Sequence, residues 1–179
     1  MQPWQRKKGL MKAAKFSTVF DPMEREVLGN MASSVSEALM ERARSAPKDE
    51  FAEMMGLNPG HTEAPEDPSL ARLLPDFERA EDEAYEGDNQ MMRSLYETDI
   101  IKAKLANLQV VSEALGPMGG VHVTLTEPEA HQFIAALNDL RLYLAATEPR
   151  SSQNEEDRDN LVEWLAYCQD SLLQALMGD

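Results

Sequence analysis

The residues with the widest chemical range in this chain are three histidines, one cysteine and a run of acids. His61, His122 and His131 do not stand in the H-E-x-x-H spacing that sets two imidazoles and a general base on one helix face, and a single cysteine cannot build a thiolate zinc site. A metal centre would therefore need ligands converging from distant positions, and none is expected. Glu81, Asp82, Glu83, Glu86 and Asp88 lack the ligand spacing of a calcium loop, with Gly87 off the turn position, and read as a solvated acidic face. Gly116, Gly119 and Gly120 are interrupted by Pro117 and lead into a strand, so they do not form a phosphate-cradling loop. No serine sits in a nucleophile elbow. No residue set reads as catalytic, and no cofactor is expected.

Polar residues inside two apolar helical patterns carry more weight. Asp99, Lys102, Lys104 and Asn107 lie in one, and Asn138, Asp139 and Arg141 interrupt the apolar run of the other. Lys104 and Arg141 fall close to the apolar stripes, so facing helices would form a hydrogen-bonded ion cluster. Such a cluster either fixes helix register or lines a pocket. Cys168 falls on the apolar side of the last helical pattern, near Trp164. That placement favours a buried, inert thiol; redox activity would need exposure and a neighbouring positive charge, and Asp170 has the wrong sign.

The elements that position these residues follow from composition and periodicity. At 179 residues and 42% hydrophobic content, the chain suits one domain, residues 1–179, with a sizeable core. No apolar run approaches the roughly 18 residues that span a bilayer, and the basic start lacks the apolar stretch of a signal peptide, so a cytoplasmic location with no membrane contact is expected. The formal net charge is −15 but unevenly spread. Residues 1–20 carry Arg6, Lys7, Lys8, Lys12 and Lys15 and no acid, whereas residues 47–88 hold thirteen acids against Lys48, Arg72 and Arg79. An acidic body repels phosphate backbones, which leaves Arg6, Lys7 and Lys8 as the candidate contact to DNA or to an acidic partner surface. The plain alternative is a solvated, mobile terminus.

Residues 4–20 read as a hairpin with a turn at Lys8-Gly9. Asp21-Pro22 with Glu24 marks a capped helix start, with Val27, Leu28, Met31, Val35, Ala38 and Leu39 on one face. Residues 47–88 are an acidic, proline-rich irregular segment, with short helical turns at 51–57 and after Asp67 and a turn signal at Asn58-Pro59-Gly60. Residues 89–115 form a long helix with Met92, Leu95, Tyr96, Ile100, Lys104, Leu108 and Val111 near one stripe. Residues 121–125 alternate like a half-buried strand, and Glu127-Pro128 opens another helix. Residues 149–159 read as a polar linker before a last helix bearing Leu161, Leu165, Cys168, Leu172 and Leu176. The segments Ser17-Thr18-Val19-Phe20-Asp21-Pro22 and Val123-Thr124-Leu125-Thr126-Glu127-Pro128 echo each other. The predicted fold is mainly α: a helical bundle of four to five helices with a small antiparallel β-sheet, built from two strand-then-helix units. A winged helix-turn-helix is disfavoured because no basic recognition helix accompanies the strands.

An ordered set of short segments resembles a known family. These are Asp67-Pro68-Ser69-Leu70-Ala71-Arg72-Leu73-Leu74-Pro75-Asp76, Lys102-Ala103-Lys104-Leu105-Ala106-Asn107, Ala136-Leu137-Asn138-Asp139-Leu140-Arg141-Leu142, Leu161-Val162-Glu163-Trp164-Leu165 and Ser171-Leu172-Leu173-Gln174-Ala175-Leu176. They follow the order of an actinobacterial family catalogued as a domain of unknown function, which includes an oxidation-sensing transcriptional regulator. The resemblance spans about residues 4–176. It implies a cytoplasmic, noncatalytic protein of the redox stress response that works with a protein partner, a stress sigma factor, at promoters. It also implies sensing through paired cysteines, and here the chain departs: with Cys168 alone no intramolecular disulfide switch can form. An intermolecular disulfide in a homodimer would require Cys168 to be exposed. Two other functional classes stay open: a small-ligand-binding or enzymatic protein using Lys104, Asn107, Asp139 and Arg141, and a scaffold or adaptor with an exposed apolar contact.

Overall fold

The computed structural model describes residues 1–9, 12–57, 59–78, 85–116 and 122–178. The expected acids Glu81, Asp82 and Glu83, the Gly119-Gly120 helix end and the Asn58 position lie outside these residues, as does the side chain of Glu86. Among the described residues the order is β1 (Gln5–Gly9), β2 (Lys12–Val19), α1 (Pro22–Arg44), α2 (Glu50–Met54), α3 (Pro68–Leu73), α4 (Tyr85–Leu115), β3 (His122–Thr126), α5 (Glu127–Ala145) and α6 (Ser152–Met177). The molecule is thus mainly helical with a small antiparallel sheet. Four helices are long, and the two short ones lie in the proline-rich segment.

The echoing units pair as strands. The sheet order is β1-β2-β3, with Phe16 opposite Leu125 and Thr18 opposite Val123 across the β2–β3 pair. Lys8 and Gly9 belong to β1 itself rather than to a turn. Each unit then enters its helix through the same device. Asp21 accepts a hydrogen bond from the Glu24 amide at 2.8 Å while the Glu24 carboxylate accepts from the Asp21 amide at 2.9 Å. Thr126 and Glu129 form the same reciprocal box at the start of α5. These boxes satisfy amides that a helix start leaves without partners. In α5, the donated Thr126 backbone and hydroxyl hydrogens hold the Glu129 carboxyl below its usual range.

Side chains at helical spacing build one core. Phe16, Phe20, Leu28, Leu108, Phe133, Leu137, Leu140 and Leu165 are fully buried. The inner sheet face packs on α5 and α6, and α5 also meets α3 and α4. Trp4 joins the terminus to this core: its ring meets Phe133 edge-on at 5.6 Å, and its amide donates to Ser171 Oγ at 2.9 Å. The C-terminus of α4 is closed by α1, where Arg25 Nε donates to the Leu115 carbonyl at 3.2 Å and its Nη2 to that of Gly116. A cation at that end also suits the helix dipole.

Two further expectations change. Residues 152–159 are helical, not a linker: Ser151 caps α6 and Gln153, Glu155, Asp157 and Arg158 pair along it. These polar residues are mostly good helix formers, so a polar stretch need not be a loop. The α4 helix starts at Tyr85, four residues before the expected Asn89.

Candidate functional site

The expected polar cluster is brought together in part. Lys104 on α4 donates to Asp139 Oδ1 on α5 at 2.7 Å, with the Asp139 side chain 7% exposed and that of Lys104 20%. Arg141 turns to its own helix and donates to Asn138 Oδ1 at 3.2 Å. Asn107 is half-buried one turn beyond Lys104, and Asp99 faces solvent beside Lys102. The cluster is therefore one interhelical ion pair with neighbours rather than six converging groups. A carboxylate this deep is paired with an ammonium from the facing helix, which fixes the register of α4 against α5.

A larger ionic assembly sits one helical segment earlier, at residues the sequence analysis passed over. Arg93 is 1% exposed. Its Nη1 donates to the Leu74 carbonyl at 3.0 Å and to Glu97 Oε2 at 2.9 Å, and its Nη2 donates to Asp76 Oδ1 at 2.8 Å. The buried Glu97 carboxylate also accepts from Arg42 Nε of α1 at 2.7 Å. Asn89 completes the frame, accepting from the Phe77 amide at 2.8 Å and donating to Asp76 at 3.2 Å. The Arg93 guanidinium lies 5.9 Å from the Phe77 ring centroid. Arg93 Nε, by contrast, has no hydrogen-bond partner among the described residues. Two arginines sharing one carboxylate in a fork geometry is a strong, directional arrangement.

This assembly is what seats the proline-rich segment. Residues 59–78 meet α4 closely at Gly60: its amide donates to the Ser94 carbonyl at 2.7 Å, and a Cβ there would meet Thr98 Oγ1 at 3.3 Å and Glu97 Cβ at 3.4 Å. His61 is tied to the end of α1, its Nε2 lying 2.9 Å from the Arg42 carbonyl oxygen. Asp67 caps α3 by accepting from the Ser69 amide at 2.9 Å.

The signal for this assembly is visible in hindsight. Asn89, Arg93, Glu97 and Ile101 recur every four residues, so they share one helix face. The apolar stripe expected for this half of α4 is wrong: Leu95 and Tyr96 are exposed while Arg93 and Glu97 are buried. Hydrophobic periodicity placed the face about one residue out because the buried side here is polar.

The basic start is split by strand alternation. Arg6 pairs with Phe16 in register and its guanidinium lies 6.0 Å from the Phe16 ring centroid, whereas Lys7 stands opposite Lys15. Arg6, Lys7 and Lys8 are exposed, but on alternate faces of the hairpin. Cys168 has no exposed surface, and burial pushes its thiol up to about 12, with the Glu24 carboxylate adding to the shift. The exposure that an intermolecular disulfide requires is not present, and a thiolate is strongly disfavoured. Among the described residues no group of three or more histidine, cysteine or acidic side chains is placed to hold a metal ion. No helix among them is long and apolar enough to cross a membrane.

A family model described as a domain of unknown function, DUF2017, matches residues 1–176. The chain belongs to the DUF2017 family. Among curated proteins, it is 35% identical to the oxidative stress regulator AosR of Mycobacterium tuberculosis over 182 residues, covering 92% of this chain and 83% of the relative. The protein of the same name from Mycobacterium bovis matches to the same extent. A putative oxidative stress regulator AosR from Mycobacterium leprae is 32% identical over the same shares. No solved structure matches the chain.

Proposed function

We propose that this chain is a noncatalytic regulatory protein of the oxidative stress response, acting in the cytoplasm in transcriptional control. It works mainly through a protein partner, a sigma factor being the class the family resemblance suggests, with DNA as a weaker contact. The observation that carries this reading is the likeness over nearly the whole chain to relatives named oxidative stress regulators. The charge distribution supports it: a chain of net charge −15 favours a protein surface over phosphate, and the basic hairpin within residues 1–20 is of opposite sign. The Lys104–Asp139 pair serves as a structural tie in this reading, because each charge is satisfied by the other. Sensing through an intramolecular disulfide has no place in it.

Reconstituted transcription tests the reading. Purified protein added to RNA polymerase carrying a stress sigma factor is expected to change output from that factor's promoter. Titration against the isolated sigma factor should show direct binding. DNA binding near physiological salt should be weak, and lost when Arg6, Lys7 and Lys8 are changed to Glu. Binding to neither sigma factor nor DNA, with no effect on transcription, would sink the proposal.

A further inference from the structure

The α2 helix has an unusual relation to the rest of the molecule. Ala52 is its one buried residue, while Phe51 is 71%, Met54 86%, Met55 65% and the following Leu57 54% exposed. Five residues are too few for a helix to persist in water on propensity alone. It is held locally, by Asp49 accepting from the Phe51 and Ala52 amides at 3.0 and 3.2 Å. The result is a short helix displaying four large apolar side chains within seven residues. A contiguous apolar patch with a polar rim is characteristic of a contact surface.

The charges around the patch select its occupant. Residues 44–66 hold five acids against Arg44 and Lys48, and Asp49 at the cap with Glu50 and Glu53 in the helix flank the apolar group. A second copy of this chain would set the same acids against themselves across a twofold contact, and a nucleic acid or an anionic bilayer would meet the same repulsion. A basic amphipathic helix complements both properties, its apolar stripe on the methionines and its cations on the acids. Methionine suits such a face because its unbranched, polarizable side chain adapts to the residues it meets.

We infer that α2 and the turn after it form a docking site for a basic amphipathic helix of a partner protein, with Met54 and Met55 as oxidisable contacts. The site gives the protein proposed above a partner class, and a sulfur chemistry that the buried Cys168 cannot supply. A peroxide does this by a balanced two-electron step. The thioether sulfur attacks a peroxide oxygen, the O–O bond breaks, a sulfoxide forms, and the peroxide is reduced to water. Each sulfoxide places a polar group where the partner's apolar stripe would sit, so oxidation weakens docking.

The test is calorimetric titration of the full chain with melittin as a basic amphipathic probe, alongside a version of that peptide with its cations changed to Glu. The basic peptide should bind and the acidic one should not. Met54→Gln with Met55→Gln changes no charge and touches no buried residue, and should weaken binding about tenfold or more. Peroxide treatment of the wild type, followed by removal of the oxidant, should do the same and yield sulfoxides at both positions by peptide mapping. Met23→Gln with Met177→Gln, exposed methionines elsewhere, should bind as wild type. The inference is overturned if the basic peptide does not bind, if Met54→Gln with Met55→Gln leaves binding unchanged, or if oxidation at both positions leaves affinity intact. Self-association that the Met54 and Met55 changes abolish would equally overturn it, in favour of a second copy as occupant. A protein that docks the peptide as expected but has no effect in reconstituted transcription would overturn the regulatory reading while leaving this site standing.

Discussion

The two halves of α4 are seated by opposite physics. From Ile101 to Leu115 the helix buries Ile101, Leu108, Val111 and Leu115 against α1 and α5, with Lys104 reaching a single carboxylate at the margin. In the preceding half the buried face is Asn89, Arg93 and Glu97, and its partners are Arg42, Asp76 and the Leu74 carbonyl. Apolar packing is tolerant of its partners' identity, whereas a buried guanidinium must have its hydrogen bonds met or it destabilises the fold. The desolvation of two arginines and a glutamate roughly offsets their mutual attraction, so such an assembly adds specificity more readily than net stability. Its effect here is to hold the proline-rich segment in one place on α1 and α4, beside the apolar contact that Leu73 and Leu74 make with the core.

Four measurements sharpen that contrast. Arg93→Ala should be the most damaging, at about 3–5 kcal/mol, because Glu97 is left buried with one partner fewer. Arg93→Met combined with Glu97→Leu should cost far less than the two single changes together, by the same argument. Chemical denaturation reads both, and a double-variant loss equal to the sum of the two single losses would show that packing rather than charge seats this half. Leu108→Ala, in the apolar half, should cost about 2–5 kcal/mol through lost burial and a cavity. Hydrogen exchange separates the two: Arg93→Ala should selectively release the Gly60 and Phe77 amides, while Leu108→Ala should lower protection throughout the core.

Lys104→Ala should cost about 1–3 kcal/mol, less than Arg93→Ala because the ammonium is partly exposed and water can reach the pair. A loss as large as that of Arg93→Ala would erase the distinction between the two ion sites. The last effect, confined to high pH, is a pH slope in the apolar core. Folding raises the Cys168 thiol from an ordinary value of 9.0 to about 12, so its contribution is complete below pH 9. Above pH 9 the unfolded chain ionises first, and stability should fall by about 1.4 kcal/mol per pH unit until pH reaches about 12. Cys168→Ala should remove this component of the slope, and identical pH slopes for the two proteins would show the thiol is not buried as described.

Much of this architecture was legible before the fold was seen. Asp21-Pro22 with Glu24, and the echo around Thr126-Glu127-Pro128, announced two strand-to-helix entries because capping and proline placement are local chemistry. The alternation at 121–125 announced a half-buried strand for the same reason, and the strand spans His122–Thr126. The Lys104–Asp139 pair was legible in kind, since a lysine and an aspartate beside apolar stripes need partners. The Arg93 assembly was not, because Arg42, Asp76, Arg93 and Glu97 come from three separate parts of the chain and resemble ordinary surface charges when read singly. The helical state of residues 152–159 was missed because polarity was read as a loop signal, whereas side-chain pairing along the helix made it helical.

The sequence by itself determined the helical class, the capped starts, the apolar faces of α1, α5 and α6, and the absence of a second cysteine. Each depends on residues close in the chain or on simple counting. Only the tertiary structure decided which face of α4 is buried, that Arg6 and Lys7 point to opposite sides of a hairpin, and that α2 presents its methionines to solvent. Those outcomes depend on which distant element arrives at each surface, and burial is a property of the assembled neighbours rather than of the residue.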